Sequence, residues 1–202
     1  MEYCGLEKPF VGSPACDHGT HYEDESIEYY GNSVGGVNHE FGLIPYNAIP
    51  YESLSPFGKT IRDLFPVEDY YFLAGSPDGI MVYDGPGGPQ GVIEAKCPYR
   101  RRIKFGEVPE YYVPQCMLNM IYCDLPFTDY IEYYPPGYTR VQPSSADPVL
   151  NAVRLYEDLN WAKEVFPKLK EFWNEVEHYR SEGIETHPLY YKYKKKRVLN
   201  LK

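Results

Sequence analysis

Asp78 stands in Gly75-Ser76-Pro77-Asp78-Gly79-Ile80, and Glu94 and Lys96 follow in Gly91-Val92-Ile93-Glu94-Ala95-Lys96 after a short Gly/Pro turn. Val92, Ile93 and Ala95 give the second segment strand character. Residues two apart on a strand share a face, so Glu94 and Lys96 point the same way. A carboxylate and an ammonium together on an otherwise apolar strand make a poor packing surface. They suit a hydrolytic metal site, which needs oxygen ligands for a hard divalent cation and a positive charge for the attacking water or the phosphate. Each piece alone is also ordinary: Pro77-Asp78-Gly79 fits a turn, and Glu-x-Lys occurs on solvated strand edges. Order and spacing are what join them.

The elements that must position these residues read as follows. Residues 1–14, with Gly5, Pro9, Gly12 and Pro14, are irregular. Cys16 to Tyr30 reads as a helix, with Glu23, Ile27 and Tyr30 on one stripe. Gly35 to Ile44 reads as a strand, and Tyr46 to Val67, rich in Pro, Ser and Gly, as a long loop. Tyr70 to Ala74 is an expected strand delivering Asp78. Ile80 to Tyr83 and Gly91 to Lys96 are strands around a hairpin turn at Asp84 to Gln90. Glu110 to Cys123 reads as a helix with Pro114 in its first turn, Thr128 to Tyr134 as a strand, Pro135 to Pro148 as a loop and Val149 to Tyr156 as a strand. From Asp158 to Tyr179 a helix follows, with Ala162, Val165, Leu169, Phe172, Val176 and Tyr179 as its apolar stripe. Pro167 is expected to kink or split it.

The order is thus αβββαβ, a mixed α/β chain. The expectation is a single domain over residues 1–202: a core at about 16–134, a strand and helix extension at about 149–182, and a basic tail at 190–202. Hydrophobic residues make up 43% of the 202-residue chain and aromatic residues 16%, with 22 tyrosines, 19 prolines and 17 glycines. The net charge of −9 excludes a charge-driven nonspecific nucleic-acid coat protein, but not an enzyme with a local basic surface. Cys4, Cys16, Cys97, Cys116 and Cys123 form no CxxC pair and show no zinc spacing. With no signal peptide and no apolar run of membrane-spanning length, the reading is an intracellular protein of a reducing compartment, with Cys97, Cys116 and Cys123 as core residues. His18, His21 and His39 lack ligand spacing and read as surface or loop histidines.

Gly19-x-x-x-Glu23, Ser76-Pro77-Asp78-Gly79, Glu94-Ala95-Lys96-Cys97-Pro98 and Tyr111-Tyr112-x-x-Gln115 together resemble the motifs of the YqaJ-type viral recombinase family, the lambda-exonuclease-like branch of the PD-(D/E)XK nucleases. The resemblance runs from about Cys16 to Tyr134. It implies a restriction-endonuclease-like core and a Mg²⁺-dependent deoxyribonuclease, with Mn²⁺ as a substitute. It further implies that Asp78, Glu94 and the backbone carbonyl of Ala95 bind the metal and that Lys96 orients or activates the attacking water. Glu23 would hold a second metal or a metal-bound water, Gln115 would position the nucleophile, phosphate or lysine, and Tyr112 would line the pocket. Glu23 also reads as an exposed helix carboxylate and Gln115 as a plain surface amide.

The implied partners are double-stranded DNA with free ends, a single-strand annealing protein and further copies of the chain. The setting is viral or phage recombination, in host cytoplasm or nucleus, or in bacterial cytoplasm. Arg100, Arg101, Arg102 and Lys104 follow the catalytic strand directly and are expected to contact the DNA backbone, with the Lys192–Arg197 tail as a second basic run. Toroidal family members carry more sequence before the first helix, including a basic residue for the terminal phosphate. Here 18 residues precede Gly19, with Lys8 their only Lys or Arg, so the resemblance does not extend to 5′-phosphate recognition, processivity or a ring-shaped trimer. The same residues also suit an endonuclease, structure-specific or RNA-degrading. A non-catalytic scaffold would be expected to have lost Asp78, Glu94 or Lys96.

Overall fold

A computed structural model describes residues 12–140 and 145–191. They fall into two compact units, Gly12–Leu159 and a second that begins at Asn160. The Lys192–Arg197 run and Lys8 lie outside the described residues.

The first unit opens on α1 (Pro14–Val34), longer than the spacing predicted. Ser13 caps it, accepting from Cys16 N–H at 3.2 Å, Pro14 fills the first turn, and Gly35 ends it at φ 67°. The expected 35–44 strand is two short pieces, β1 (Val37–His39) and β2 (Ile44–Pro45). The expected loop from Tyr46 is a correction: it holds a 3-10 turn (Tyr51–Ser53), α2 (Pro56–Leu64) and the start of α3 (Val67–Tyr70). Ser55-Pro56 is a cap followed by a first-turn proline, with Ser55 Oγ accepting from Gly58 N–H at 3.0 Å. The same two residues read as loop punctuation when the cap geometry is unknown. The expected 70–74 strand is also corrected. Tyr70 ends α3, and β3 (Ala74–Gly75) pairs only with β2 in a two-stranded sheet. Asp78 therefore sits in the link between β3 and β4 (Gly79–Val82).

β4 and β5 (Gln90–Lys96) form the expected hairpin, paired from Gly79↔Ile93 to Val82↔Gln90. Its turn holds Asp84, Gly85 and Gly87 at φ of 58°, 85° and 82°, the left-handed region that favours glycine and tolerates Asp. α4 (Val113–Cys123) begins three residues later than predicted and crosses over from β5 to β6 (Phe127–Tyr134), which runs parallel to β5. β7 (Val149–Tyr156) closes a five-stranded sheet of order β1-β4-β5-β6-β7, antiparallel except at β5–β6. The fold class is the expected one: a mixed sheet between helices.

The two faces of β5 have different neighbours. Ile93 and Ala95 join Ile27 and Tyr30 of α1, Met81, Phe127 and Ile131 in the buried core. Glu94 faces α4, where Thr128 Oγ1 also donates to the Cys116 carbonyl at 3.0 Å. Gly91 is required by close approach, because a Cβ there would lie 1.9 Å from the Phe127 ring. Asp129 is buried where Tyr30 (2.7 Å) and Tyr83 donate to it and Arg154 forks onto it through two bonds of 2.8 Å. Burial alone would raise that carboxyl. Arg154 and the two hydroxyls outweigh burial and hold it below the usual range.

α5 (Leu159–Glu182), which lies in the second unit from Asn160 onward, runs through Pro167 without being split. Ala162, Phe166 and Val176 are its buried residues, whereas Phe172, expected in the apolar stripe, is exposed. Among the described residues no helix is long and apolar enough to cross a membrane.

Candidate active site

Beyond Gly79↔Ile93 the hairpin has no further pair, and the Ala95 N–H is left without a strand partner from β4. Asp78 fills that place, its Oδ2 accepting from Ala95 N–H at 2.8 Å. A turn carboxylate is thereby fixed against the strand that carries Glu94 and Lys96. Glu94 is fully buried, and its Oε2 accepts from Asn119 Nδ2 of α4 at 3.3 Å. Its Oε1 is ion-paired with Lys96 Nζ. The same ammonium lies 3.2 Å from Asp78 Oδ2 and donates to the Ala95 carbonyl at 2.9 Å. Thus the three groups expected to bind a metal, Asp78, Glu94 and the Ala95 carbonyl, converge on one positive centre.

Burial pushes the Glu94 carboxyl up to about 7, against the pull of Lys96 and with a further push from Asp78. Burial would lower the Lys96 ammonium, but Glu94 and Asp78 outweigh it, so its pKa is raised and it stays charged. Glu23, from α1, is half-buried. Burial raises its carboxyl, Asp78 raises it further and Lys96 opposes both. Glu23 therefore shares the field of the site. It lines a cleft of about 670 Å³ together with Ser76, Pro77 and Asp78, and a smaller one of about 280 Å³ with Gly19, Lys96 and Tyr112. Tyr112 has its ring centre 5.6 Å from Lys96 Nζ, as expected of a pocket-lining residue.

Gln115 does not join this group. It is exposed on α4, one turn before the Asn119 amide that reaches Glu94. Asn119 is the residue that sequence reasoning missed. Its position four after Gln115 keeps it on one helical face with the motif, which was the available signal. Arg101 makes a contact that its place in the basic run does not announce. Its guanidinium is ion-paired with Glu132, a fully buried carboxylate opposite Lys96 in the β5–β6 register. Tyr130 (2.9 Å) and Asn151 (3.3 Å) complete the partners of Glu132. Arg100 and Arg102 are exposed, and Lys104 makes only an exposed pair with Glu107 at 3.4 Å. The loop that carries them is tied down, with Gly106 N–H donating to Asn151 Oδ1 at 2.9 Å and Ile103 N–H to the Tyr134 hydroxyl at 3.2 Å.

The thiols near the site are core residues, as expected. Burial pushes Cys97 up to about 11 and Cys116 up to about 12, so neither is a nucleophile at neutral pH. His18, read from the sequence as a surface or loop histidine, is instead half-buried on α1 among the rings of Tyr22, Tyr99 and Tyr138. Among the described residues no three His, Cys, Asp or Glu side chains form a cage for a metal. The donor set available for a cation is instead two carboxylates, a backbone carbonyl and, across the cleft, Glu23. These are all oxygens, the chemistry of a hard divalent ion, so the residues fit one.

A family model described as the YqaJ-like viral recombinase domain matches residues 1–126. No curated protein matches the chain in sequence. Two solved structures are similar: an alkaline exonuclease (LHK-Exo) from Laribacter hongkongensis, and LHK-Exo in complex with dAMP. Both are 21% identical to this chain and are matched over 78% of their own length. The TM-scores are 0.58 over 95% of this chain and 0.60 over 96% of it, respectively. At that identity the likeness is one of fold.

Proposed function

The chain belongs to the family of YqaJ-like viral recombinase domains, and on that premise we propose that it is a nuclease, specifically a divalent-metal-dependent DNA exonuclease serving recombination and DNA-end processing. The observation that carries the reading is the convergence of Asp78, Glu94 and the Ala95 carbonyl on Lys96 Nζ beside Glu23. The fold likeness to alkaline exonucleases supports it.

Asp78, Glu94 and the Ala95 carbonyl would hold a Mg²⁺ ion, with Glu23 serving a second ion or a water. Such an ion supplies charge neutralisation to the phosphate and acidifies water. The chain's own groups do the rest. Asn119 fixes Glu94 through Oε2 and so leaves Oε1 toward the site. Lys96, on a strand and held by three oxygens, is a preorganised positive charge for the attacking water or a phosphate oxygen. Gln115, exposed one helical turn away, is kept as a residue that meets the nucleophile or phosphate only when substrate is bound.

Linear DNA should be degraded with Mg²⁺ or Mn²⁺ and spared in excess EDTA, and a covalently closed circle should resist. Undiminished hydrolysis in EDTA would remove the metal from the reading. Cleavage of the closed circle would make the enzyme an endonuclease.

Backbone affinity is assigned to Arg100, Arg102 and Lys104, the exposed cations beside the site. Replacing all three with Gln should weaken DNA binding and reduce the log–log salt slope by about 0.7 to 0.9 for each phosphate no longer neutralised. Saturating DNA should recover most of the rate. An unchanged salt slope would move the DNA-binding surface elsewhere, with the Lys192–Arg197 run next in line.

A further inference from the structure

Tyr111 precedes Tyr112, which lines the smaller cleft, and its own ring is 63% exposed. Its ring centre lies 4.4 Å from that of Tyr112, which in turn lies 5.6 Å from Lys96 Nζ. The exposed ring is therefore at most about 10 Å from the ammonium, or about three nucleotides at the 3.4 Å rise of a stacked strand. Tyr112 supports it on one side, with a second ring contact from Tyr112 to the buried Tyr130 at 5.6 Å. The platform is thus anchored in the sheet and open to solvent.

The charge beside the platform is fixed as well. The Arg101 guanidinium reaches the side chain of Tyr112, the ring that supports Tyr111. Glu132, fully buried, holds the guanidinium there, and a third of the Arg101 side chain remains exposed. A cation locked against a rigid carboxylate loses little freedom when it meets a phosphate. The wider cleft on the other side of Glu23 has the opposite character, being lined by Asp24, Glu28, Glu40 and Asp78. A polyanion is therefore favoured on the Arg101 side.

We propose that Tyr111 and Arg101 form a subsite for an unpaired nucleotide, its base stacked on Tyr111 and a phosphate on Arg101. The subsite deepens the nuclease reading and rests on it for the identity of the ligand as DNA. It names the substrate as an end whose last few nucleotides are unpaired, since paired bases have no free face to offer a ring. Stacking of one base on an aromatic side chain contributes about 1–3 kcal/mol, or about 5- to 150-fold in affinity.

The test is equilibrium binding in EDTA, where no cleavage intervenes, to three labelled duplexes: one with three terminal mismatches, one fully paired and blunt, and one closed by hairpins at both ends. Tyr111→Ala should weaken binding to the mismatched end by about 5- to 150-fold and leave the closed duplex unaffected, while Tyr111→Phe, which keeps the ring, should bind as wild type. Arg101→Met combined with Glu132→Gln avoids an unpaired buried carboxylate, and should lower the salt slope for the mismatched end by about 0.7. Wild-type binding of the mismatched end by Tyr111→Ala, or an equal loss on the closed duplex, would overturn the subsite. If Mg²⁺-dependent cleavage is absent but Tyr111→Ala still loses the mismatched end, the nuclease reading fails and the subsite stands.

Discussion

Glu94→Gln and Asp78→Asn should each abolish cleavage and leave the protein folded. Both substitutions nearly conserve volume and remove one negative charge from the place where three oxygens converge. At Glu94 the amide can still accept from Asn119, so the contact between α4 and β5 survives. What disappears is the carboxylate that burial pushes up to about 7 against the pull of Lys96. Loss of one preorganised hydrogen-bond donor costs about 10²–10³ in rate, and a missing metal ligand should exceed that, leaving activity below about a thousandth of wild type. Circular dichroism and thermal melts establish the fold, and gel assays on linear DNA establish the rate. Degradation at the wild-type rate by either variant would show that the metal site has been placed wrongly.

The second large effect belongs to Lys96→Ala. Asp78, Glu94 and the Ala95 carbonyl remain, and the ammonium that touches all three is gone. Mg²⁺ should therefore bind at least as well as to wild type, because no cation competes for the same oxygens, while the chemical step slows by about 10²–10³. Isothermal calorimetry and single-turnover kinetics separate the two. Calorimetry that finds no Mg²⁺ binding would refute this division of labour between the carboxylates and the lysine.

The centre of the site was legible because it is local. Glu94 and Lys96 lie on one strand of a hairpin and Asp78 immediately precedes the other, and a period of two places Glu94 and Lys96 on a common face without knowledge of the rest of the fold. Glu23 was legible for a different reason, since the spacing to Ile27 and Tyr30 fixes which side of α1 meets the sheet. Asn119 was legible only as a residue sharing a helical face with Gln115, and Glu132 was not legible. Each matters through a partner on another element, Glu94 and Arg101, and a buried polar residue in a sequence looks the same whether its partner exists or not. Arg101 illustrates the difficulty. In a run of three arginines nothing distinguishes the one that turns inward to a buried carboxylate from the two that stay in water. The missed α2 has a similar cause, because Ser-Pro opens helices as readily as it ends strands, and burial of Ile61 decides the case only in three dimensions.

The hairpin also limits mutational tolerance. Asp78 faces the far end of β5 from the turn at residues 83–89, four ladder pairs away. Strand register is set at the turn, so the alignment of Asp78 with Ala95 is dictated by a loop that takes no part in the chemistry. A shift of one residue would swing Glu94 and Lys96 through to the α1 side and bring Ile93 and Ala95 into their place. The length of that loop is therefore a constraint on catalysis exerted at a distance, whereas its exposed side chains are free to drift. Insertions and deletions there divide by parity: an odd change inverts the strand, and an even one slides it while preserving its faces.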